Sequence, residues 1–290
     1  MHRDRAVGEL LREWRRRRRL SQLDLAVQAD VSSRHISFVE TGRTVPSRRM
    51  LLHLAQHLDV PLRERNRLLV AAGYAPAYER RPLEDPELAQ AYEAIQGVLR
   101  GHEPFPAVAV DHHWNVLLSN PAMEIFLDGV DPELLKSPVN MMRLGLDPRG
   151  FAPRLQNLGQ VRAYLLPRLA RQAARTGDPE LSALYEELRS YGTEDDPPTA
   201  GAADIAMPIR LRHDGVELSF FSTITTFGAA FDITLEEIAI ETLFPADPTT
   251  TAYLRRPDPL VAPHPALDKG PPTAQEQRSC HCDDTEGGSR

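Results

Sequence analysis

Ser33, Arg34, Ser37 and Phe38 lie within Ser21 to Gly42, SQLDLAVQADVSSRHISFVETG, and have side chains suited to the edges of base pairs. Arginine offers paired donors to guanine, serine donates or accepts, and an aromatic ring packs on a thymine methyl. A second set, Asp111, His112 and His113, has the residue types of a catalytic or metal cluster. Adjacent residues of a strand point to opposite faces, so if the strand before them extends that far these two imidazoles do not easily share an ion. Cys280, His281, Cys282, Asp283 and Asp284 are ligand types for a soft metal, but no second ligand cluster accompanies them. The chain has no GxSxG elbow, phosphate-cradling glycine loop, HExxH or dinucleotide fingerprint. The expectation is a binding protein, not an enzyme, with no metal or cofactor.

The elements that must position the first set are short helices. Ser21 and Ser32 stand where a hydroxyl caps a helix start, and Gly42 where a helix ends. Leu23, Ala26 and Ala29, then Ile36 and Val39, give a buried face at helical spacing and leave Ser33, Arg34, Ser37 and Phe38 to solvent. Val7, Leu10, Leu11 and Trp14 stripe a preceding helix that runs into five consecutive arginines, Arg15 to Arg19. Leu51, Leu52, Ala55 and Leu58 stripe a fourth helix after Pro46-Ser47; a fifth follows Pro61, carries Leu68, Leu69 and Ala72, and stops at Gly73.

LSQLDLAVQADVSSRHISFVETGRTVPS followed by LLHLAQHLDVP resembles the Cro/cI-type (XRE-family) helix-turn-helix domain, over residues 5 to about 74. The resemblance implies that Gln22 touches a DNA phosphate, that Ser33 and Arg34 are the main base contacts, and that Phe38 aligns with a third. Ser32, His35, Ser37 and Arg43 complete the expected DNA-facing set. It also implies a buried structural salt bridge between Arg15 and Glu40, leaving Arg16 to Arg19 as solvent-facing charge.

Charge divides the chain at the same place. Residues 1–80 hold 16 Arg and 9 Asp or Glu, a balance of +7, against −14 for the remainder and −7 overall. The acidic total does not argue against DNA, because the local field on the motif-bearing domain is basic. The 290 residues favour about two domains. No apolar run approaches the ~18 residues of a membrane span. The two cysteines fit a reducing compartment, so a cytoplasmic location is expected.

Tyr74 to Pro86, YAPAYERRPLEDP, reads as a linker before a helix over Glu87 to Leu99. Beyond it, strands are expected at Ala107–Asp111, Asn115–Leu118, Met207–Arg212, Glu217–Thr226 and Ile238–Phe244, with helices at Leu158–Arg175 and Pro179–Tyr191. Strands, then helices, then strands predict an α+β domain with an antiparallel sheet. The expected division is therefore an all-α five-helix domain at 1–75, a linker and connecting helix at 76–103, an α+β domain at 104–255 and a disordered tail at 256–290.

NVLLSNPAMEIF, NMMRLGLDPRGFAPRLQNL and TTFGAAFDITLEEIAIETLFPAD resemble the MmyB-like ligand-binding domain, over roughly 104–255. The resemblance implies a PAS-like fold holding a fatty acid or similar apolar molecule between sheet and helices. Trp114, Phe126, Met141, Met142, Phe220, Phe227 and Phe231 are compatible with a cavity lining and equally with a filled core. Arg143 is suited either to a ligand carboxylate or to a surface salt bridge. Together these readings predict a homodimeric regulator that binds operator DNA and senses a small apolar ligand. The alternative is a DNA-tethered platform that recruits a protein and binds no metabolite.

Overall fold

The structure, a computed structural model, describes residues 7–192 and 207–256. The expected tail and its Cys280 and Cys282 lie outside the described residues, apart from Arg256. Among the described residues no helix is long and apolar enough to cross a membrane. The described residues form two units: 7–81 with 227–237, and 82–192 and 207–226 with 238–256.

The first unit is built from α1 (Val7–Arg17), α2 (Gln22–Gln28), α3 (Ser33–Glu40), α4 (Arg48–His57) and α5 (Leu62–Ala71). Ser21, Ser32 and Ser47 cap α2, α3 and α4 by accepting from the backbone N–H of Asp24, His35 and Met50. The core gathers Leu11, Trp14, Leu25, Ala26, Ala29, Ile36, Val39, Leu51, Ala55, Leu58, Leu68 and Leu69. Leu23, expected on the buried face of α2, is 63% exposed, and Leu25 is buried instead. Leu25, Ala26 and Ala29 share one helical face, and Leu23 falls outside that arc. A Cβ on Gly8 would lie 2.3 Å from the Val39 carbonyl oxygen, so the missing side chain lets α1 press against the end of α3.

The second unit opens with α6 (Ala89–Gly101), β1 (Ala107–Val110) and β2 (Val116–Ser119), followed by α7 (Glu124–Leu127) and α8 (Met141–Leu146). After α9 (Leu158–Thr176) and α10 (Pro179–Ser190) come β3 (Ile209–His213) and β4 (Val216–Thr226). A five-residue helix, α11 (Ile233–Glu237), precedes β5 (Ala239–Pro245) and α12 (Pro248–Leu254). The sheet is antiparallel in the order β2-β1-β5-β4-β3. Asp214 and Gly215, both at positive φ, close the β3–β4 hairpin with the backbone such a tight turn requires. The apolar face of the sheet joins Phe126, Met142, Leu144, Phe151, Leu169, Leu184 and Leu188 in one core.

Two expected boundaries move. Asn66 Oδ1 accepts from the N–H groups of Ala77 and Tyr78, and its amide donates to the Tyr78 carbonyl, so the start of the expected linker is fastened to α5. Residues 227–237, which join β4 to β5, belong to the first unit. There Arg63 grips Glu237 through two hydrogen bonds of 2.7 Å, and Arg81 pairs with Asp232 at 3.0 Å. The Ile233 N–H donates to the Glu79 carbonyl. Glu236 accepts from the Leu62 N–H at 2.7 Å, supplying the cap that Pro61 cannot give to α5.

Candidate functional site

In α3, Ser33 and Arg34 are exposed, and Ser37 and Phe38 are half-buried. The Arg34 guanidinium lies 5.1 Å from the centre of the Phe38 ring and that of Arg43 lies 5.6 Å from it, so one aromatic ring steadies two cations at this face. That gives Phe38 a role its sequence position left open.

Behind this face, Arg15 makes two hydrogen bonds to the Glu40 carboxylate, Nε at 2.6 Å and Nη2 at 2.8 Å, while its Nη1 donates to the Leu20 carbonyl. Gln22 donates to Glu40 Oε2 at 2.8 Å, and Arg12 donates to the Glu40 carbonyl. Burial alone would push the Glu40 carboxyl up; the hydrogen bonds from Arg15 and Gln22 and the charges of Arg15 and Arg12 hold it below its usual range. The network ties α1 and α2 to Glu40, the last residue of α3.

The second unit presents a different interior. Phe126 packs against Phe151 and Phe220 with ring centres 5.1 and 5.7 Å apart, and Met142 and Trp114 are buried with them. Trp114 donates its indole N–H to Gln172 at 3.0 Å, and the Arg168 guanidinium sits 5.4 Å above its ring. In the sheet register Glu241 of β5 lies between Val108 of β1 and Ile224 of β4. Directly paired residues share a face, and Val108 and Ile224 belong to the apolar core, so Glu241 emerges on the apolar side. Burial pushes its carboxyl up, with a hydrogen bond from Ser222 and the charge of Arg168 offsetting only part of the effect.

Residues 91–256 match the MmyB-like transcription regulator ligand binding domain, and residues 6–68 match a helix-turn-helix domain. The chain belongs to the MmyB-like transcription regulators. The chain is also similar to the "Uncharacterized HTH-type transcriptional regulator RghRB" of Bacillus subtilis (strain 168), with 36% identity over 105 residues that cover 34% of this chain and 71% of the relative. It is thus a DNA-binding transcriptional regulator with a ligand-binding domain.

Within this MmyB-like regulator several expected roles change. The Gln22 amide, expected on a phosphate, is held by Glu40. The Ser32 hydroxyl caps α3, and His35 is half-buried with its Nε2 lacking a partner among the described residues. Of Arg16 to Arg19, Arg16 and Arg19 are exposed; Arg17 pairs with Glu13 at 2.6 Å, and Arg18 donates to the carbonyls of Leu58 and Asp59 at the end of α4. Phe227 and Phe231 leave the expected cavity lining, because they fall in the segment built into the first unit, where Phe231 is 82% exposed. Met141 packs at the edge of the core. Arg143 makes a bidentate pair with Glu187 at 2.7 and 2.8 Å, the salt bridge of its two readings. Tyr191 also donates to Glu187, and burial with that bond pushes its phenol up to about 12.

His112 and His113 lie in the turn expected between the first two strands, so the strand geometry that would separate their rings does not apply. Strand β1 ends at Val110, and residues 112 and 113 form a turn that closes with Trp114 at φ 68°. The two rings therefore lie side by side with centres 3.7 Å apart. Sequence reasoning missed Glu241 and Arg168. The signal for Glu241 is an acid inside the apolar run IAIETLF of a central strand.

Proposed function

We propose that this regulator reads operator DNA as a homodimer, with Ser33, Arg34 and Ser37 at base edges and Arg43 at the backbone, and that a fatty-acid-like ligand in the second unit sets its DNA affinity. The observation that carries the coupling is the placement of residues 227–237: covalently continuous with β4 and β5, they are folded into the DNA-binding unit by Arg63, Arg81 and the start of α5. A ligand that favours one arrangement of β4 and β5 then biases the unit to which their connection belongs.

The polar end of the ligand is assigned to Arg168 and Glu241. Arg143 is already neutralised by Glu187, whereas Arg168 lies over the buried Trp114 ring and its charge acts on Glu241. Glu241 is half-buried on the core-facing side of the sheet. Burial favours the neutral form of this acid, and in that form it donates a hydrogen bond to a ligand carboxylate that pairs with Arg168.

The test is native mass spectrometry of the full chain, followed by denaturation and identification of the released molecule, then operator binding with and without it. A stoichiometric acyl-sized mass, lost in Arg168→Ala and kept in Arg143→Ala, together with a shift in operator affinity of about tenfold (about 1.4 kcal/mol of differential binding), supports the reading. A protein that shifts operator binding with no small molecule bound overturns it in favour of a recruitment platform. In Arg63→Ala the ligand and the operator should each still bind, with the dependence of one on the other lost.

A further inference from the structure

We propose that His112 and His113, with the carboxylate of Asp178, form a binding site for one divalent transition-metal ion. Nε2 of His113 lies 2.9 Å from Asp178 Oδ2, and Nε2 of His112 lies 3.8 Å from the same oxygen. Metal–ligand bonds of 2.0–2.2 Å in tetrahedral geometry put neighbouring ligand atoms ~3.3 Å apart, between those two separations. One ligand atom each from Asp111, His112 and His113 also lies within 4.8 Å of the others. The two imidazoles and the Asp178 carboxylate form a three-residue donor set for zinc, cobalt or nickel, with a further position left for water.

The site is organised from outside, as metal sites are. Asp178 Oδ1 accepts from the Glu180 and Leu181 N–H groups as the cap of α10, which leaves Oδ2 turned to the histidines. Asp111 Oδ1 accepts from the N–H groups of His113 and Asn115 and fixes the turn. The His112 carbonyl is held by Gln172 and the His113 carbonyl by Asn140, each at 2.8 Å. Two side chains from distant parts of the chain thus lock the backbone that carries the rings.

A hydrogen-bonded pair of His113 and Asp178 without metal is the competing account. That account uses one ring, whereas the Nε2 atoms of both His113 and His112 face Asp178 Oδ2 and the two rings lie side by side, an arrangement that one ion uses in full. The side chains of His112, His113 and Asp178 are 15–20% exposed, enough for an ion to enter. Occupancy would pin the β1–β2 turn to the start of α10 and stiffen the ligand-binding unit.

The test uses the full chain carrying Cys280→Ser and Cys282→Ser, so that the tail thiols cannot bind the probe. Zn²⁺ is titrated calorimetrically, and Co²⁺ is followed by visible absorbance. The expected result is one tight equivalent and a Co²⁺ ligand-field band without thiolate charge transfer. Binding should weaken by about tenfold or more in His112→Ala, His113→Ala and Asp178→Asn, the last of which keeps the α10 cap. Circular dichroism identifies any variant that fails to fold, and Asp178→Asn or His112→Gln then decides. No binding to the Cys-free chain, or equal affinity in the folded variants, overturns the site.

Discussion

Each unit sets a glutamate against its core, Glu40 buried and Glu241 half-buried, and they treat it in opposite ways. Glu40 receives two bonds from Arg15 and one from Gln22, and its carboxyl is held below the usual range. Glu241 faces an apolar core with partial compensation, and its carboxyl is pushed up. The DNA-binding unit uses its buried acid to fix a helix for a ligand outside the fold. The ligand-binding unit leaves its acid only partly compensated. Perturbed, undercompensated groups mark sites more often than well-paired ones.

The sharpest way to break the contrast is Glu40→Ala. Removing one partner of a buried, bidentate pair costs about 3–5 kcal/mol, so the first unit should unfold early in denaturant while the second keeps its own transition, followed by the fluorescence of Trp14 and Trp114. In the intact protein the contribution of Glu40 is fully present above the unfolded glutamate value of about 4.3 and is lost as pH falls through the lower folded value.

Arg34→Ala should cost about 1–3 kcal/mol of operator binding and relax base preference at one position, measured by anisotropy over a panel of single-base operator variants. Unchanged preference would remove Arg34 from base reading and leave the Phe38 platform without a purpose on DNA.

The neighbouring arginines separate architecture from field. Arg18→Ala should lower the stability of the first unit by about 1–2 kcal/mol, because two carbonyls at the end of α4 lose their donor. Arg16→Ala should leave stability unchanged and flatten the salt dependence of DNA binding by about one unit of slope.

Glu241→Gln sharpens the comparison most gently. A raised carboxyl stabilises the fold below the unfolded glutamate value, and that contribution is lost as pH rises through the folded value. The wild-type second unit should therefore weaken with rising pH in that window, opposite to Glu40, and the amide should abolish the slope in pH-dependent thermal melts.

How much of this is legible in the sequence depends on the range of the interaction. The caps Ser21, Ser32 and Ser47, the antiparallel strands and the Arg15–Glu40 pair follow from local chemistry or family pattern, and the structure has them. Leu23 was misplaced because α2 is seven residues long, and so short a helix fixes the phase of its buried arc poorly. The side-by-side rings of His112 and His113 depend on where β1 stops, the element boundary that periodicity defines least well. The destination of 227–237 depends on partners more than 150 residues away in Glu79, Arg81, Leu62 and Arg63, which no local pattern announces.

That segment also limits how such a protein can be recombined. The chain passes between the units at 81/82, 226/227 and 237/238. A chimera cut at one junction after the helix-turn-helix would bring Arg63 and Arg81 to a foreign sensor while leaving Asp232, Glu236 and Glu237 behind. Exchange of DNA specificity between regulators of this design therefore requires two inherited pieces, the N-terminal helices and the eleven residues 227–237 of the β4–β5 connection, to travel together.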